Sequence, residues 1–231
     1  MRIYKTLYEA YKETERELIE MGTIVKVQSM QDIKEEFETK ELQGYSYCIT
    51  ENYDMNDDFE RLKGNMMYAE SEFLDRVDPK YLNPGHSYLE RPKVWNVFLH
   101  EGKFSYTYNS RLRTQLPIII EELKKNPHTR QAILTIYDQH QDIENLGGKA
   151  RIPCSMYYQL LRRERKGEEV LDAIYTMRSC DLYTHMIYDI WLGMSLQEFI
   201  ANAVGIIPGH FIHFIGSLHA YKQDYEKKGV F

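Results

Sequence analysis

Cys154 lies in the run Arg151-Ile-Pro-Cys-Ser-Met-Tyr-Tyr-Gln159, directly behind a proline and ahead of an aromatic stretch that reads as a strand. A thiol at a strand start beside arginines is expected to have a lowered pKa and to act as a nucleophile. The same fragment also reads as a small buried hydrophobe, a common use of free cysteine. In Met177-Arg-Ser-Cys-Asp-Leu182, Arg178 offers a forked donor and Ser179 a hydroxyl, a pair suited to a phosphate. Asp181 can accept from an amino-heterocycle, although the run also reads as a strand end with a surface ion pair. Arg130, in Pro127-His-Thr-Arg-Gln131, is a further candidate phosphate contact. In Gly216-Ser-Leu-His-Ala-Tyr221, His219 and Tyr221 stand two apart, so an extended backbone points both to one face. They can grip a sugar hydroxyl there, or form a hydrogen-bonded surface pair.

The elements that position these groups follow from periodicity. Residues 4–21 show helical spacing, residues 42–50 read as a strand, and residues 57–76 read as one helix. The prolines and glycine of 79–93 predict a loop, and Pro117 starts a helix that stops before Pro127. Strands are expected over 131–137, 154–162 and 170–179, the last two joined near Gly167. Residues 186–204 return to helical spacing, and 210–218 read as a closing strand. Helices and strands mix without regular βαβ alternation, which predicts an α+β fold: one large mixed sheet with packed helices, in a single domain over 1–231.

Composition removes several functions. A formal net charge of −6 carries no basic excess for a nucleic-acid partner. Arg162, Arg163, Arg165 and Lys166 stand beside Glu168 and Glu169 and read as a solvated turn. The three cysteines, Cys48, Cys154 and Cys180, form neither a CxxC pair nor a disulfide framework, and no metal site is expected. His210 and His213 point to opposite faces of an extended strand, and Gly147-Gly148-Lys149 lacks the spacing of a phosphate-binding loop. Nothing reads as a membrane span or a signal peptide, so the cytoplasm is the default compartment.

Singly these fragments are weak; their order is not. Asn126-Pro127-His128-Thr129-Arg130, then Pro153-Cys154 with Gln159 five residues on, then Arg178-Ser179-Cys180-Asp181, then Gly216-Ser217-Leu218-His219-Ala220-Tyr221 resemble the motif series of thymidylate synthases. The resemblance is good over about residues 100–225 and loose over 60–100. It implies a thymidylate synthase-like fold in which Cys154 adds to C6 of a pyrimidine nucleoside monophosphate and 5,10-methylenetetrahydrofolate delivers a one-carbon unit to C5. It implies that Arg178, Ser179 and Arg130 hold the phosphate, with Arg130 serving the other subunit of a homodimer. Gln159, His219 and Tyr221 would join the substrate contacts, the last two at the sugar. Asp181 would orient the folate, and Trp95 and Tyr108 would form an aromatic wall beside it. The family also needs a proton-relaying glutamate on an earlier helix. Within Ala69-Glu70-Ser71-Glu72-Phe73, Glu70 is preferred and Glu72 is the second candidate.

Departures from the pattern sharpen the expectation. Thymidylate synthases carry asparagine eleven residues after the arginine of Arg-Ser-x-Asp, where it pairs with uracil; here that position is Asp189. A carboxyl accepts from the N4 amino group of cytosine and, when protonated, donates to N3. The same change marks the cytidylate hydroxymethylases of the superfamily, so the expected reaction is conversion of CMP or dCMP to the 5-hydroxymethyl nucleotide. The alternative is a divergent thymidylate synthase acting on dUMP. Phe231 follows Tyr221 by ten residues, a short end expected to leave the site open to water. Ser155 replaces the usual histidine, Thr184-His185-Met186-Ile187 replaces Leu-Gly-Leu-Pro, and Gln131 stands where a second phosphate arginine is common. Lys26 is the only N-terminal candidate for the phosphate.

Overall fold

The computed structural model describes residues 1–28, 36–51, 54–147 and 150–227; Gly148, Lys149 and the chain end at Phe231 lie outside them. Its sheet comprises β1 (Arg2–Tyr4), β2 (Thr23–Gln28), β3 (Glu36–Ile49), β4 (Ile133–Thr135), β5 (Ser155–Arg165), β6 (Glu168–Asp181) and β7 (Ile207–Tyr221). The path runs β1-β3-β7-β6-β5-β4, with β2 paired to β3. β1 lies parallel to β3 and β6 parallel to β7, while the other pairs are antiparallel, so the sheet is mixed as expected.

The α-helices of the described residues are α1 (Leu7–Met21), α2 (Met55–Arg61), α3 (Met66–Val77), α4 (Pro92–Trp95), α5 (Tyr108–Leu112), α6 (Leu116–Lys125), α7 (Met186–Val204) and α8 (Lys222–Lys227). The core centres on α7, buried along most of its length. At Gly193 it crosses so close to β7 that an added Cβ would sit 2.7 Å from the Phe211 ring. The opposite face of the sheet presents Ile133, Tyr157, Ile207 and Phe214 to solvent.

Several expectations shift for local reasons. The helix expected over 4–21 begins at Leu7, because Tyr4 is drawn into β1 opposite Ile49 and Thr6 caps the helix by accepting from Glu9 N. The single helix expected over 57–76 is two. Lys63 takes a left-handed φ of 64°, and a Cβ on Gly64 would overlap the Phe59 ring at 2.3 Å. Asn65 then caps α3 through Tyr68 N. The 79–93 segment is pinned rather than loose. The Asp75 carboxylate accepts from His86 N, Ser87 N and Ser87 Oγ, fixing the approach to α4. β5 and β6 meet at Lys166-Gly167, both at positive φ, as a two-residue hairpin of right-handed twist requires. Arg162 and Arg165 pair there with Glu169 and Asp172. No helix of the described residues is long and apolar enough to cross a membrane.

One irregularity positions the site. The buried side chains of β6 include Tyr175 and Met177, then Cys180, with Leu182 just past the strand's end; those of β7 include His213 and Ile215, then Leu218 and Ala220. Strict two-residue alternation is therefore broken at 178–179 and at 216–217. The neighbouring β3 breaks at the same level, where Gln43 pairs with Ser217 and Gly44 has φ 63°. Three adjacent strands change phase together. Gly216 sits where a Cβ would meet the Arg178 carbonyl at 2.8 Å. Arg178 and Ser179 emerge at this fault.

Candidate active site

Cys154 precedes β5, and its carbonyl accepts from Arg178 N at 2.8 Å, which docks the segment onto β6. The Arg178 side chain fastens it again. Nε donates to Pro153 O at 2.9 Å, Nη2 donates to Ile152 O at 3.1 Å, and Nη2 approaches Cys154 Sγ at 3.9 Å. In this arrangement Arg178 laces the Cys154 segment to the sheet. The expectation of a lowered thiol pKa is corrected. Burial pushes the Cys154 thiol up, Asp189 and Asp181 add to the rise, and Arg178 and Arg151 only partly oppose it. Ser155 bonds to Tyr108 OH at 3.0 Å and makes a short bond to Tyr175 OH, so the residue after the cysteine is locked between two rings.

Asp189 occupies the first turn of α7, 8% exposed, with Cys180 Sγ donating to its Oδ2 at 3.7 Å. A helix N-terminus favours an anion by about 0.3–1 kcal/mol, well under one pKa unit. Burial is larger and wins: it raises the Asp189 carboxyl from 3.8 to about 7, with Arg76 opposing and Glu72 reinforcing the shift. The folded chain thus holds this proton more tightly than the unfolded chain. Asp189 costs nothing below the unfolded value of 3.8 and progressively more as pH rises through about 7. Asp189→Asn should therefore gain thermal stability over the parent on going from about pH 5 to about pH 8. Melting curves at both values check this, and an unchanged difference would mean that Asp189 is already ionised at the lower pH.

The direction α3 faces separates the two candidate glutamates. Glu70 is exposed, whereas Glu72 lines an open cavity together with Tyr68, Arg76, Tyr88, Trp95 and Tyr108. Burial alone would raise the Glu72 carboxyl. The Arg76 guanidinium, Nη2 to Oε1 2.5 Å, together with Tyr68 and His185, reverses this and holds it below its usual value. The two carboxyls of the site are thereby pushed in opposite directions, Glu72 down and Asp189 up. Burial also holds His185, at the start of α7, below the usual histidine range.

Trp95 and Tyr108, expected as an aromatic wall, both line this cavity. Cys154 is not among the lining residues; Tyr108, which is, bonds to the adjacent Ser155. Phe104 and Tyr106 extend the wall, and the Arg151 guanidinium lies over the Trp95 ring at 4.7 Å and the Tyr106 ring at 5.2 Å. Flat aromatic faces around an open cavity fit a heterocycle such as a pterin. Asp181 Oδ1 accepts from Tyr183 N at 3.1 Å and Thr184 N at 3.3 Å, shaping the turn into α7. Ser179 Oγ lies 3.5 Å from His219 Nδ1, and the His219 and Tyr221 rings meet edge to face at 5.5 Å, so these three share one patch.

Two of the expected substrate residues fall elsewhere in this chain. Gln159 shares the open sheet face with Tyr157, and its amide donates to Arg130 O at 3.0 Å, while the Arg130 side chain is exposed. The structure thus joins Gln159 to Arg130. Lys26 is exposed on β2. The site also holds Arg76, Arg151 and His185, none of them part of the motif series. The four-residue spacing from Glu72 to Arg76 was the available signal for the first.

Comparison with known proteins sets the class. The thymidylate synthase family model matches residues 83–229, well over half of the chain, and the chain belongs to that family. Members are one-carbon transferases that use 5,10-methylenetetrahydrofolate as donor. The fold is similar to that of thermostable thymidylate synthase A from Bacillus subtilis, with a TM-score of 0.74 over 98% of this chain and 84% of that one, at 19% identity. The thymidylate synthase of Lactococcus lactis subsp. cremoris (strain SK11) is 31% identical over 139 residues, 58% of this chain and 49% of the relative. That of Streptococcus mutans serotype c is 30% identical over 109 residues, 47% of this chain and 38% of the relative. The matched segments thus span half or less of these curated relatives.

Proposed function

We propose that the chain is a pyrimidine nucleotide C5 hydroxymethyltransferase that converts CMP or dCMP to the 5-hydroxymethyl nucleotide with 5,10-methylenetetrahydrofolate and water. The observation that carries the reading is the Asp189 carboxyl, buried beside Cys180 and holding its proton up to about pH 7. A protonated carboxyl donates to N3 of cytosine and accepts from N4–H, which an asparagine oriented for uracil does not do.

In this reading the Cys154 sulfur forms a bond to C6 of the base and the C5–C6 double bond opens, leaving C5 nucleophilic. Asp189 holds the base edge, and Glu72, rather than Glu70, moves protons on the exocyclic side. Folate, when bound, supplies a carbon at the oxidation level of formaldehyde. Trp95 and Tyr108 would hold it by stacking and Asp181 would orient it. Ser179, His219 and Tyr221 would contact the nucleotide, with the Arg178 guanidinium turned toward the phosphate. Tetrahydrofolate leaves, water adds to the transferred carbon, and loss of the C5 proton with departure of the Cys154 thiolate from C6 restores the C5–C6 double bond. The exposed apolar residues of the open sheet face suit a second copy of the chain, which would bring Arg130 and Gln159 toward the partner's phosphate site.

The curated relatives carry the name thymidylate synthase, which favours a second reading, methylation of dUMP. Mass spectrometry of products from CMP, dCMP, UMP and dUMP, each with methylenetetrahydrofolate, separates the two. Gain of CH2O on a cytosine nucleotide with release of tetrahydrofolate is expected. Gain of CH2 on dUMP with formation of dihydrofolate would establish the second reading instead.

A further inference from the structure

Arg76 is a buried cation inside the cavity. It is 4% exposed, its Nη2 lies 2.5 Å from Glu72 Oε1, and its guanidinium carbon lies 3.9 Å above the Tyr108 ring. Its Nε is buried without a hydrogen-bond partner among the described residues. A buried guanidinium is costly unless something requires it there. Fold stability is poor justification, since apolar residues would fill the space as well.

We propose that Arg76 is a positioning residue that sets the base preference of this site by holding the Glu72 carboxylate ionised, as an acceptor, while the nucleotide binds and before any proton moves. Ionised, Glu72 can only accept hydrogen bonds; protonated, it could also donate. Cytosine presents a donor, the N4 amino group, beside an acceptor, N3. Uracil presents the reverse, acceptor O4 beside donor N3–H. A carboxylate locked as acceptor next to a carboxyl that keeps its proton complements cytosine and opposes uracil. The two groups titrate in these opposite senses because Arg76 stands next to Glu72 while burial dominates at Asp189. The other charged or titratable groups facing Glu72 are Tyr68 on its own helix, His185 from the start of α7, Asp189 one turn further on and Tyr158 from β5. Tyr108 and Arg91 act on its partners Arg76 and Tyr68. Arg76 supplies the largest opposing influence to burial at Glu72. Without it, a buried Glu72 would take up a proton and lose its bias.

The inference rests on the cytosine reading above, and equilibrium binding separates the two. Dissociation constants for CMP, dCMP, UMP and dUMP would be measured by intrinsic fluorescence titration. The parent protein, Arg76→Met, Arg76→Lys and the double variant Glu72→Gln/Arg76→Met would be compared, with folding checked by thermal melts. The parent should favour cytosine nucleotides, Arg76→Met should erode that ratio by about tenfold, and Arg76→Lys should restore most of it. The double variant carries no uncompensated buried charge, so it reports even if Arg76→Met fails to fold, and its preference should stay lost. A parental ratio in the double variant would overturn the role of Arg76 and leave the hydroxymethylase reading standing. A parent that favours uracil nucleotides would overturn both.

Discussion

Replacing Cys154 with alanine is expected to lower turnover by about four orders of magnitude or more while changing nucleotide affinity by less than about threefold. The asymmetry follows from where Cys154 sits. Its segment is held by main-chain and guanidinium bonds: Arg178 N to Cys154 O, and Arg178 Nε and Nη2 to Pro153 O and Ile152 O. Removing the sulfur breaks none of these and leaves Ser155 locked to Tyr108 and Tyr175. The binding patch of Ser179, His219 and Tyr221 lies on other strands and should persist. Single-turnover assays paired with calorimetric titration check this. Full activity in the variant would sink covalent catalysis at this position, and joint loss of binding and turnover would show that the thiol has a structural task. The raised thiol pKa adds an expectation about reagents: iodoacetamide should modify Cys154 slowly near neutral pH, because the thiolate is scarce there.

Asp189→Asn carries the second large effect. The amide cannot ionise; one orientation donates to O4 of uracil and accepts from N3–H, while the other offers the cytosine edge the same two bonds as the parent. The lost discriminator is the fixed proton, and the buried environment multiplies its value, since a mispaired polar group there is costly. The ratio of kcat/KM for cytosine over uracil nucleotides should fall by about 10- to 100-fold. An unchanged ratio would remove Asp189 as the base reader. The rise in alkaline stability expected for this variant is independent of ligand, so it shows separately whether the substituted side chain stays buried.

Much of this architecture was legible because its signals are local. The α7 boundaries followed from apolar periodicity, and the β5–β6 hairpin followed from a glycine flanked by charge. The break at residues 62–65 was hidden because its cause is tertiary: the Phe59 ring occupies the space beside Gly64. The roles proposed for Cys154, Arg178 and Asp181 rest on motif order. The choice between Glu70 and Glu72 required the orientation of α3, which two residues of spacing decide and which the sequence pattern around Ala69 did not reveal. The sign of the Cys154 shift is not legible for a related reason: neighbouring arginines are visible in a sequence, while desolvation is a property of the packed chain.

The shared phase change of β3, β6 and β7 bears on how such a site can be altered over time. Because Gln43, Ser217 and Ser179 lie side by side where the three strands switch, a one-residue deletion in any one of them would set it against both neighbours. Every side chain downstream would then point to the wrong layer, including Asp181 on one strand or His219 and Tyr221 on another. Length variation is closed to this part of the molecule, and only replacements in place remain open. New chemistry must therefore be written here letter by letter, through changes such as the one at Asp189, and never by insertion.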